Sequence, residues 1–296
     1  MPAPSSVAGT LPEMPRGATL VMVAAVLWGT TGTAQAINGY DESSLPLGSA
    51  RLAVAAAIFI AIAGRATPKA SRGMIPAILV GAVCVAAYQP AFFYGVQRTG
   101  VGVGTLTAIG SAPIFAGLGA LFAGARPNRA WWASTAIVLV GLALLLRADG
   151  SPRFDLAGVV ACLAAGASYA AYTAASRSLL VAGMPPAVVL AYLFAGGAAL
   201  LLLASPVENT TWWAHPDHIY LGIYLGIVAT AVPYLLWARG LRAVHTSTAA
   251  TLSLTEPLTA ALLGWLLLRE PVTATSLAGA ALVVAGLAVT ATSVRR

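Results

Sequence analysis

One acidic residue lies where a carboxylate is costly to keep. Glu256 is in the middle of an apolar run, Thr246–Leu268. A carboxylate at bilayer depth costs on the order of several kcal/mol unless it is paired or protonated, so such a residue is first considered functional. We expect Glu256 either to carry a proton or hold the ammonium group of a solute, or to stabilise the bend at Pro257 through a structural hydrogen bond or ion pair.

Arg51 is a basic residue inside another apolar run. In a helix, at about 1.5 Å per residue, it lies roughly 9 Å from the start of that run. Its long side chain can extend towards the membrane surface, which is a structural role, or it can bind the carboxylate of a solute. The structural role is the preferred interpretation, and the binding role is the alternative.

Aromatic and amide side chains occur at the same depth in several apolar runs. Rings with hydroxyl or indole N–H groups suit a planar or cationic organic solute, through stacking and cation–π contacts. An amide at this depth needs hydrogen-bond partners, whereas each ring could equally belong to a packed core. The predicted substrate-binding residues are Trp28, Tyr88, Gln89, Phe92, Tyr169, Tyr172, Tyr234 and Trp237.

Metal and catalytic sites are not predicted. Cys84 and Cys162 lie in separate apolar runs, where the expected role is that of a small packing residue. A membrane-embedded enzyme would need a second acid, a histidine cluster or a nucleophile with its base near the central acid. None of the three histidines is at zinc-ligand spacing with a cysteine; they are His215, His218 and His245. We therefore expect no metal, no cofactor and no catalytic residue.

The elements that must position these residues are long apolar helices. Of the 296 residues, 59% are hydrophobic and only 8% are charged, whereas soluble domains carry about 25% charged residues. Runs of about 20 apolar residues can span a bilayer. The sequence predicts ten such helices, and thus an all-α membrane protein: Gly17–Ile37, Pro46–Gly64, Gly73–Gln97, Val101–Ala123, Ala130–Leu146, Asp155–Ser176, Pro186–Ala204, Ile219–Gly240, Thr246–Leu268 and Thr273–Ser293.

Basic residues are unevenly distributed between alternate loops, and this predicts the orientation. Cytoplasmic loops of membrane proteins carry the excess of Lys and Arg, so both termini are predicted to be cytoplasmic, in the plasma membrane (bacterial inner membrane). The net charge of +7 is explained by these loops, and no nucleic-acid partner is expected. Residues 1–16 are predicted to form a disordered tail. The eleven cytoplasmic residues are Arg16, Arg65, Lys69, Arg72, Arg126, Arg129, Arg177, Arg239, Arg242, Arg295 and Arg296, and the four on the other side are Arg98, Arg147, Arg153 and Arg269.

The chain contains an internal repeat. Matching pairs are Pro113 with Pro257 at a shift of 144 residues, and Gly17 with Gly158 and Trp28 with Tyr169 at a shift of 141. The predicted halves are residues 17–147 and 155–294, with five helices each. Because five is odd, the second half enters the membrane with the opposite polarity. Inverted repeats of this kind are typical of secondary transporters.

Four prolines occupy matching positions in the two halves. Each removes a helical hydrogen bond and frees a carbonyl, which at bilayer depth must be satisfied by protein or by water in a cavity. The pairing predicts helices that bend around a polar cavity, and ordinary kinking is the alternative. The predicted bends are at Pro90, Pro113, Pro233 and Pro257.

Several motifs resemble those of a known superfamily. They are Trp28-Gly29-Thr30, Arg51, Thr255-Glu256-Pro257 and Leu268-Arg269-Glu270-Pro271, with Ser111-Ala112-Pro113 and Arg126-Pro127 as first-half counterparts. With these motifs the chain resembles the drug/metabolite transporter superfamily with two EamA-type repeats, although Ala125-Arg126 stands where the family often carries a Glu. The resemblance implies transport of amino acids, other metabolites or drugs, or exchange of phosphorylated sugars. More narrowly, the chain is similar to bacterial aromatic amino acid exporters of the YddG type.

These observations predict a secondary transporter that exports aromatic or other neutral amino acids, or related small metabolites, by alternating access. The first alternative is an exporter of cationic drugs such as quaternary ammonium compounds, for which Glu256 would be the required membrane acid. The second is the membrane-embedded enzyme considered above. The expected partners are a small-molecule substrate and the lipid bilayer, and the chain is expected to be a monomer or a weak homo-oligomer.

Overall fold

The computed structural model of the chain describes residues 16–39, 45–64, 70–146, 155–204 and 216–293, and these ranges contain helices and connections but no strand. Eight helical stretches are long and apolar enough to cross a membrane, and two shorter apolar helices accompany them. The predicted all-α fold of ten transmembrane elements is therefore confirmed. The α-helices are α1 (Arg16–Ile37), α2 (Leu45–Ala63), α3 (Ile75–Thr99), α4 (Val101–Phe122), α5 (Arg129–Leu145), α6 (Leu156–Val181), α7 (Pro186–Ala204), α8 (Pro216–Gly226), α9 (Val232–Leu241), α10 (Thr246–Leu252), α11 (Thr255–Leu267) and α12 (Ala274–Ser293).

The eighth and ninth predicted spans are interrupted helices. A π-helical turn, Ile227–Ala231, joins α8 to α9, and a short break separates α10 from α11. Pro233 and Pro257 lie in the first turns after these interruptions. A hydroxyl group of the π-helical turn satisfies a carbonyl in the last turn of α8, because Thr230 Oγ1 donates to the Leu225 carbonyl at 2.7 Å. Such bonds make irregular backbone tolerable at bilayer depth.

The two first-half prolines do not interrupt their helices. α3 continues through Pro90 and α4 continues through Pro113. The bends predicted at Pro90 and Pro113 are therefore not accompanied by an interruption of the helix, whereas Pro233 and Pro257 each follow one. A proline removes only one backbone hydrogen bond and can remain inside a membrane helix. A 3₁₀ turn, Arg72–Met74, precedes α3 in the first half. Among the described residues, interruptions in the middle of a span are found in the second half alone, where Thr230 and Ser253 precede the prolines.

Helices of the two halves contact each other in matched pairs. α3 packs along α6, and its counterpart α9 packs along α1. α4 contacts α6 as α11 contacts α1, and the last helices of the two halves, α5 and α12, pack against each other. Each of these contacts therefore has an equivalent contact between the corresponding helices of the other half. This is the arrangement expected for two inverted five-helix repeats.

Glycine pairs allow close approach at two of these crossings. A Cβ atom on Gly17 would lie 3.1 Å from the Gly240 carbonyl oxygen, and one on Gly158 would lie 3.3 Å from that of Gly95. Gly17 and Gly158 are the pair that the 141-residue shift superimposes. The same small-residue crossing therefore joins α1 to α9 and α6 to α3, as is common between transmembrane helices.

Most helix ends agree with the predicted spans, but α6 is longer at its C-terminal end. It was predicted to end at Ser176 and continues to Val181. Arg177 thus lies in the helix rather than in a loop, and its Nε atom donates to the Val244 carbonyl at 2.9 Å. The predicted disordered tail lies outside the described residues except for Arg16, which begins α1.

Candidate functional site

The predicted aromatic residues meet where the two halves contact each other. Tyr88 stacks on Phe92 with ring centroids 5.8 Å apart, and its ring lies 6.4 Å from that of Tyr169. Tyr169 contacts Tyr172 at 5.1 Å, and Tyr172 lies 6.4 Å from Tyr234. The rings of α3, α6 and α9 therefore form a continuous series of contacts across both halves of the protein.

The tryptophans complete this series on the side of α1. The ring of Trp28 lies 4.9 Å from that of Tyr234 and 6.4 Å from that of Trp237. Both tryptophans are buried, and their indole N–H groups have no acceptor within the described part of the chain. All seven aromatic residues predicted for the site therefore belong to one cluster, which we call the aromatic cluster.

Hydroxyl groups within the aromatic cluster bond to each other and to α10–α11. The hydroxyl oxygens of Tyr172 and Tyr234 are 3.1 Å apart and share a hydrogen bond. Tyr169 donates from its hydroxyl to Ser253 Oγ at 2.8 Å. Ser253 Oγ in turn donates to the Ala249 carbonyl at 2.9 Å. These bonds connect the cluster to the interrupted ninth span.

Two small cavities lie beside Tyr88, which contributes to the lining of both. The first has a volume of about 30 Å³, and we call it the arginine cavity. The second has a volume of about 10 Å³, and we call it the glutamate cavity. The arginine cavity is lined by Arg51, Leu52, Val85, Tyr88, Gln89, Tyr172, Phe194, Thr230 and Tyr234, and the glutamate cavity by Tyr88, Ala108, Ile109, Ala112, Tyr169, Ala250, Ser253 and Glu256.

Arg51 lines the arginine cavity rather than only extending towards the membrane surface. Its Nε atom is buried and has no hydrogen-bond partner among the residues that the structure describes. A buried donor without an acceptor costs free energy. Gln89, which is only 6% exposed, lines the same cavity. A guanidinium and an amide thus share one small space.

Glu256 lines the glutamate cavity together with Ala112, its counterpart in the first half. Within the described ranges, no Lys or Arg lies at ion-pair distance from its carboxylate. The break before α11 is instead bridged by backbone, because Glu256 N–H donates to the Ser253 carbonyl at 3.0 Å. The ion pair allowed by the structural interpretation of Glu256 is therefore not found in this part of the chain.

Gly29 explains why two of the motifs lie together. A Cβ atom on Gly29 would lie 2.7 Å from the Glu256 carbonyl oxygen and 2.6 Å from Thr259 Cβ. Only glycine allows α1 to contact α11 this closely. The Trp28-Gly29-Thr30 motif therefore packs directly against the Thr255-Glu256-Pro257 motif, next to the glutamate cavity.

The predicted site residues have different positions relative to the two cavities. Tyr88, Gln89, Tyr172 and Tyr234 line the arginine cavity, and Tyr88 and Tyr169 line the glutamate cavity. The other three predicted rings line neither cavity and pack against the rings that do; they are Trp28, Phe92 and Trp237. Sequence reasoning missed Thr230, Ser253 and Phe194. A hydroxyl residue three or four positions before a membrane proline could have indicated the first two.

Comparison with known proteins gives the family. The family model described as EamA-like transporter family matches residues 15–147 and 156–292, which together are most of the chain. The chain belongs to the EamA-like transporter family. Its family belongs to the drug/metabolite transporter superfamily, as the resemblance of its motifs implied.

This EamA chain is similar to several named transporters. It is 39% identical over 278 residues to the uncharacterized transporter YwfM of Bacillus subtilis (strain 168), covering 93% of this chain and 94% of that protein. It is 30% identical over 193 residues to the threonine/homoserine exporter RhtA of Escherichia coli (strain K12), covering 62% of this chain and 64% of RhtA. A crystal structure with 21% identity and a TM-score of 0.79 covers 96% of this chain and 100% of its own, and it supports the fold alone.

Two larger cavities lie at one end of this EamA transporter, and together we call them the vestibule. Their volumes are about 680 and 410 Å³, and both are lined in part by Ala120, Ala125, His245 and Ser247. Arg126 and Arg177 also line the vestibule. By the loop charges this end is the predicted cytoplasmic side. The vestibule is therefore large enough to admit a solute, whereas the cavities beside Tyr88 are not.

Proposed function

We propose that this EamA transporter is a secondary transporter that exports neutral α-amino acids, aromatic or of the size of threonine, or related small metabolites. The observation that carries the proposal is the placement of Arg51 and Glu256 in two cavities on either side of Tyr88. A guanidinium pairs with a carboxylate through two parallel hydrogen bonds, and a carboxylate pairs with an ammonium group. Two opposite charges separated by one side chain complement a zwitterion.

The same pair of charges argues against a lone cation as the substrate. A quaternary ammonium compound would be attracted by Glu256 and by the aromatic rings. It would also lie close to the positive charge of Arg51, and at low dielectric this repulsion is strong. It offers no carboxylate to Arg51 Nε, which has no partner among the described residues. A zwitterion satisfies both charged groups, so amino acids are the preferred substrate class.

Alternating access is proposed from the size of the cavities and the pairing of the helices. The arginine and glutamate cavities have room for about two waters and about one water, respectively. A substrate must therefore separate the rings around Tyr88 before it can bind. The matched contacts between the halves support two packing arrangements of similar energy, one open to each side of the membrane.

The relatives support transport and give partial support for the substrate class. RhtA is named as a threonine/homoserine exporter, and its match covers less than two thirds of each chain. We therefore propose export of amino acids from the cytoplasm, across the plasma membrane, with both termini cytoplasmic. The aromatic substrates implied by the YddG-type resemblance belong to the same class.

Counterflow in proteoliposomes tests the proposal. Vesicles containing the purified protein and an excess of one unlabelled amino acid are expected to accumulate labelled threonine, alanine or tryptophan, whereas protein-free vesicles are not. Labelled tetraethylammonium, tested in parallel, is expected to remain outside. Uptake of tetraethylammonium together with the failure of every neutral and aromatic amino acid would overturn the proposal in favour of cationic drug transport.

A further inference from the structure

A layer of three alanines separates the vestibule from the glutamate cavity. Ala116 of α4 and Ala170 of α6 line the vestibule, and Ala250 of α10 lines the glutamate cavity. The three residues form one buried cluster, with exposures of 4%, 6% and 1%, respectively. No charged side chain belongs to the cluster, and the rings of Phe115 and Tyr169 pack against it from the vestibule and from the glutamate cavity, respectively. Between these two rings, the large cavity and the charged cavity are separated by methyl groups.

The layer is thin along the direction that a solute would travel. Ala112 lines the glutamate cavity, and Ala116, one turn later on α4, lines the vestibule. The two positions are about 6 Å apart along the helix, at 1.5 Å per residue. Tyr169 contacts the alanine layer, and its hydroxyl bonds to Ser253 on the glutamate side. A small separation of α4, α6 and α10 would join the two spaces.

The equivalent position in the other half is closed much more tightly. The shift that pairs Trp28 with Tyr169 pairs Gly29 with Ala170. Gly29 allows the backbones of α1 and α11 to touch, since a Cβ atom there would lie 2.7 Å from the Glu256 carbonyl oxygen. The methyl groups at Ala170 border an open space, whereas α6 and α4 touch one turn earlier, where a Cβ atom on Gly166 would lie 2.6 Å from the Ala108 carbonyl oxygen. At the level of the alanine layer, the looser packing is therefore on the vestibule side.

We infer that Ala116, Ala170 and Ala250 form the gate between the vestibule and the substrate site, and that their small side chains determine the largest solute that can pass. The inference rests on the proposed function for the nature of the solute, but the position of the gate does not depend on it. Larger residues in this layer would fill the gap between the helices and resist their separation, because overpacked cores are strained. Tryptophan would be excluded before alanine.

Thiol labelling tests the gate without any substrate. In a background with Cys84→Ala and Cys162→Ala, Ser253→Cys reports access to the glutamate cavity and Thr248→Cys reports access to the vestibule. Membrane vesicles in the orientation that labels Thr248→Cys are treated with impermeant trimethylammonioethyl methanethiosulfonate. Adding Ala170→Phe is expected to slow labelling of Ser253→Cys about tenfold or more and to leave labelling of Thr248→Cys unchanged.

Matched variants distinguish the gate from a general effect on folding. Ala164, on an exposed face of the same helix, is the control, and Ala164→Phe should leave both labelling rates unchanged. If Ala170→Phe does not fold, as judged by gel filtration, Ala250→Leu or Ala116→Leu takes its place. Labelling of Ser253→Cys at the parent rate in a folded bulky variant would overturn the gate.

A transport measurement tests the size limit separately. Ala170→Val is expected to lower counterflow of tryptophan relative to alanine about tenfold. An unchanged ratio would overturn the size limit. If Ala170→Phe slows labelling but the parent protein transports no amino acid, the gate is supported and the proposed substrate is rejected. If the parent protein transports amino acids but the bulky variants label at the parent rate, the proposed substrate is supported and the gate is rejected.

Discussion

Tyr88 is the residue that connects the charged and aromatic parts of the site. Its ring stacks on Phe92, and it lines both the arginine cavity and the glutamate cavity. Arg51 and Glu256 therefore line separate cavities on either side of Tyr88, and they form no ion pair with each other among the described residues. An ion pair would neutralise both groups, whereas this separation leaves each of them available to a solute. At this scale, the important property is the distance between two unlike charges rather than the presence of either one.

Removing one charge at a time should reveal which part of the substrate it contacts. Arg51→Gln is expected to raise the KM for threonine about tenfold or more, because a charge-assisted hydrogen bond is lost. It should have little effect on threoninamide, which lacks the carboxylate. Glu256→Gln is expected to raise the KM for both compounds, since both carry the ammonium group. The measurement is counterflow over a range of external concentrations.

Arg239→Gln serves as the control, because Arg239 is exposed on α9 away from the two cavities. Its KM values should match those of the parent protein. If Arg51→Gln impaired threonine and threoninamide equally, Arg51 would have a structural role, as the sequence first suggested. If Glu256→Gln left both KM values and the pH dependence of transport unchanged, Glu256 would neither bind the substrate nor carry a proton.

At the scale of the elements, polar contacts of Asp155 with Gly158 and Arg98 hold α3 against α6 at the end opposite the vestibule, and we call these contacts the polar joint. Asp155 precedes α6, and one of its carboxylate oxygens accepts from Gly158 N–H at 2.7 Å. The other lies 3.0 Å from Arg98 near the end of α3, and the Arg98 guanidinium also lies over the Tyr94 ring. The Gly158 N–H, together with Arg98, holds the pKa of the Asp155 carboxyl below its ordinary value.

The joint predicts a pH dependence of stability. A carboxyl with a lowered pKa stabilises the folded state above its unfolded pKa of about 3.9, and this contribution is lost as the pH falls through the folded pKa. Asp155→Ala should therefore lower the apparent melting temperature of the purified protein near neutral pH, and its difference from the parent should shrink in acid. Arg98→Gln, which retains the helix cap, should have a smaller effect. A constant difference at every pH would contradict this role.

At the scale of the whole molecule, the two halves are nearly equivalent in packing but not in detail. Gly17–Gly240 and Gly158–Gly95 are equivalent crossings, and α5 and α12 pair with each other. In the described part of the chain, the interrupted spans, the central acid Glu256 and the hydroxyl-rich ninth span belong to the second half. The similarity of the two halves supports two related conformations of the whole protein. The differences between the halves place Glu256 on the second-half side of the aromatic cluster.

The predicted orientation can be tested on the whole molecule. A fluorescent protein fused after Arg296 should fluoresce, and alkaline phosphatase at the same position should be inactive, because both report a cytoplasmic terminus. Asn38→Cys, in the connection after α1, should react with an impermeant maleimide added to intact cells. Fluorescence without maleimide labelling would contradict the prediction that the first helix spans the membrane. Active phosphatase would show that the C-terminus is on the outer side, opposite to the prediction.

Much of the fold could be predicted because lipid imposes simple rules on a sequence. Ten apolar runs identified the spans. Loop arginines such as Arg126 and Arg242 predict the orientation, which the experiment above tests. Candidate site residues could also be predicted, because counting residues along each span, at about 1.5 Å each, gives their distance from the end of the span. Trp28, Tyr88, Tyr169 and Tyr234 were chosen in this way, and they meet in one cluster.

Rotation about the helix axis could not be predicted in the same way. In water a helix shows its buried face by its apolar stripe, but in lipid every face can be apolar. The sequence therefore did not indicate that Arg51 faces Tyr88, or that Ala116, Ala170 and Ala250 meet. Nor did it indicate that Pro233 and Pro257 follow interruptions whereas Pro90 and Pro113 do not.

By itself, the sequence determined the number of spans and the inverted repeat, and it predicted the depth of each candidate site residue, because hydrophobic length and loop charge are local properties. Only the tertiary structure decided which side chains share a space. The separation of Arg51 from Glu256 by Tyr88, and of the glutamate cavity from the vestibule by three methyl groups, depends on contacts between helices that are distant in the chain. Those contacts are determined by close packing, which no single helix encodes.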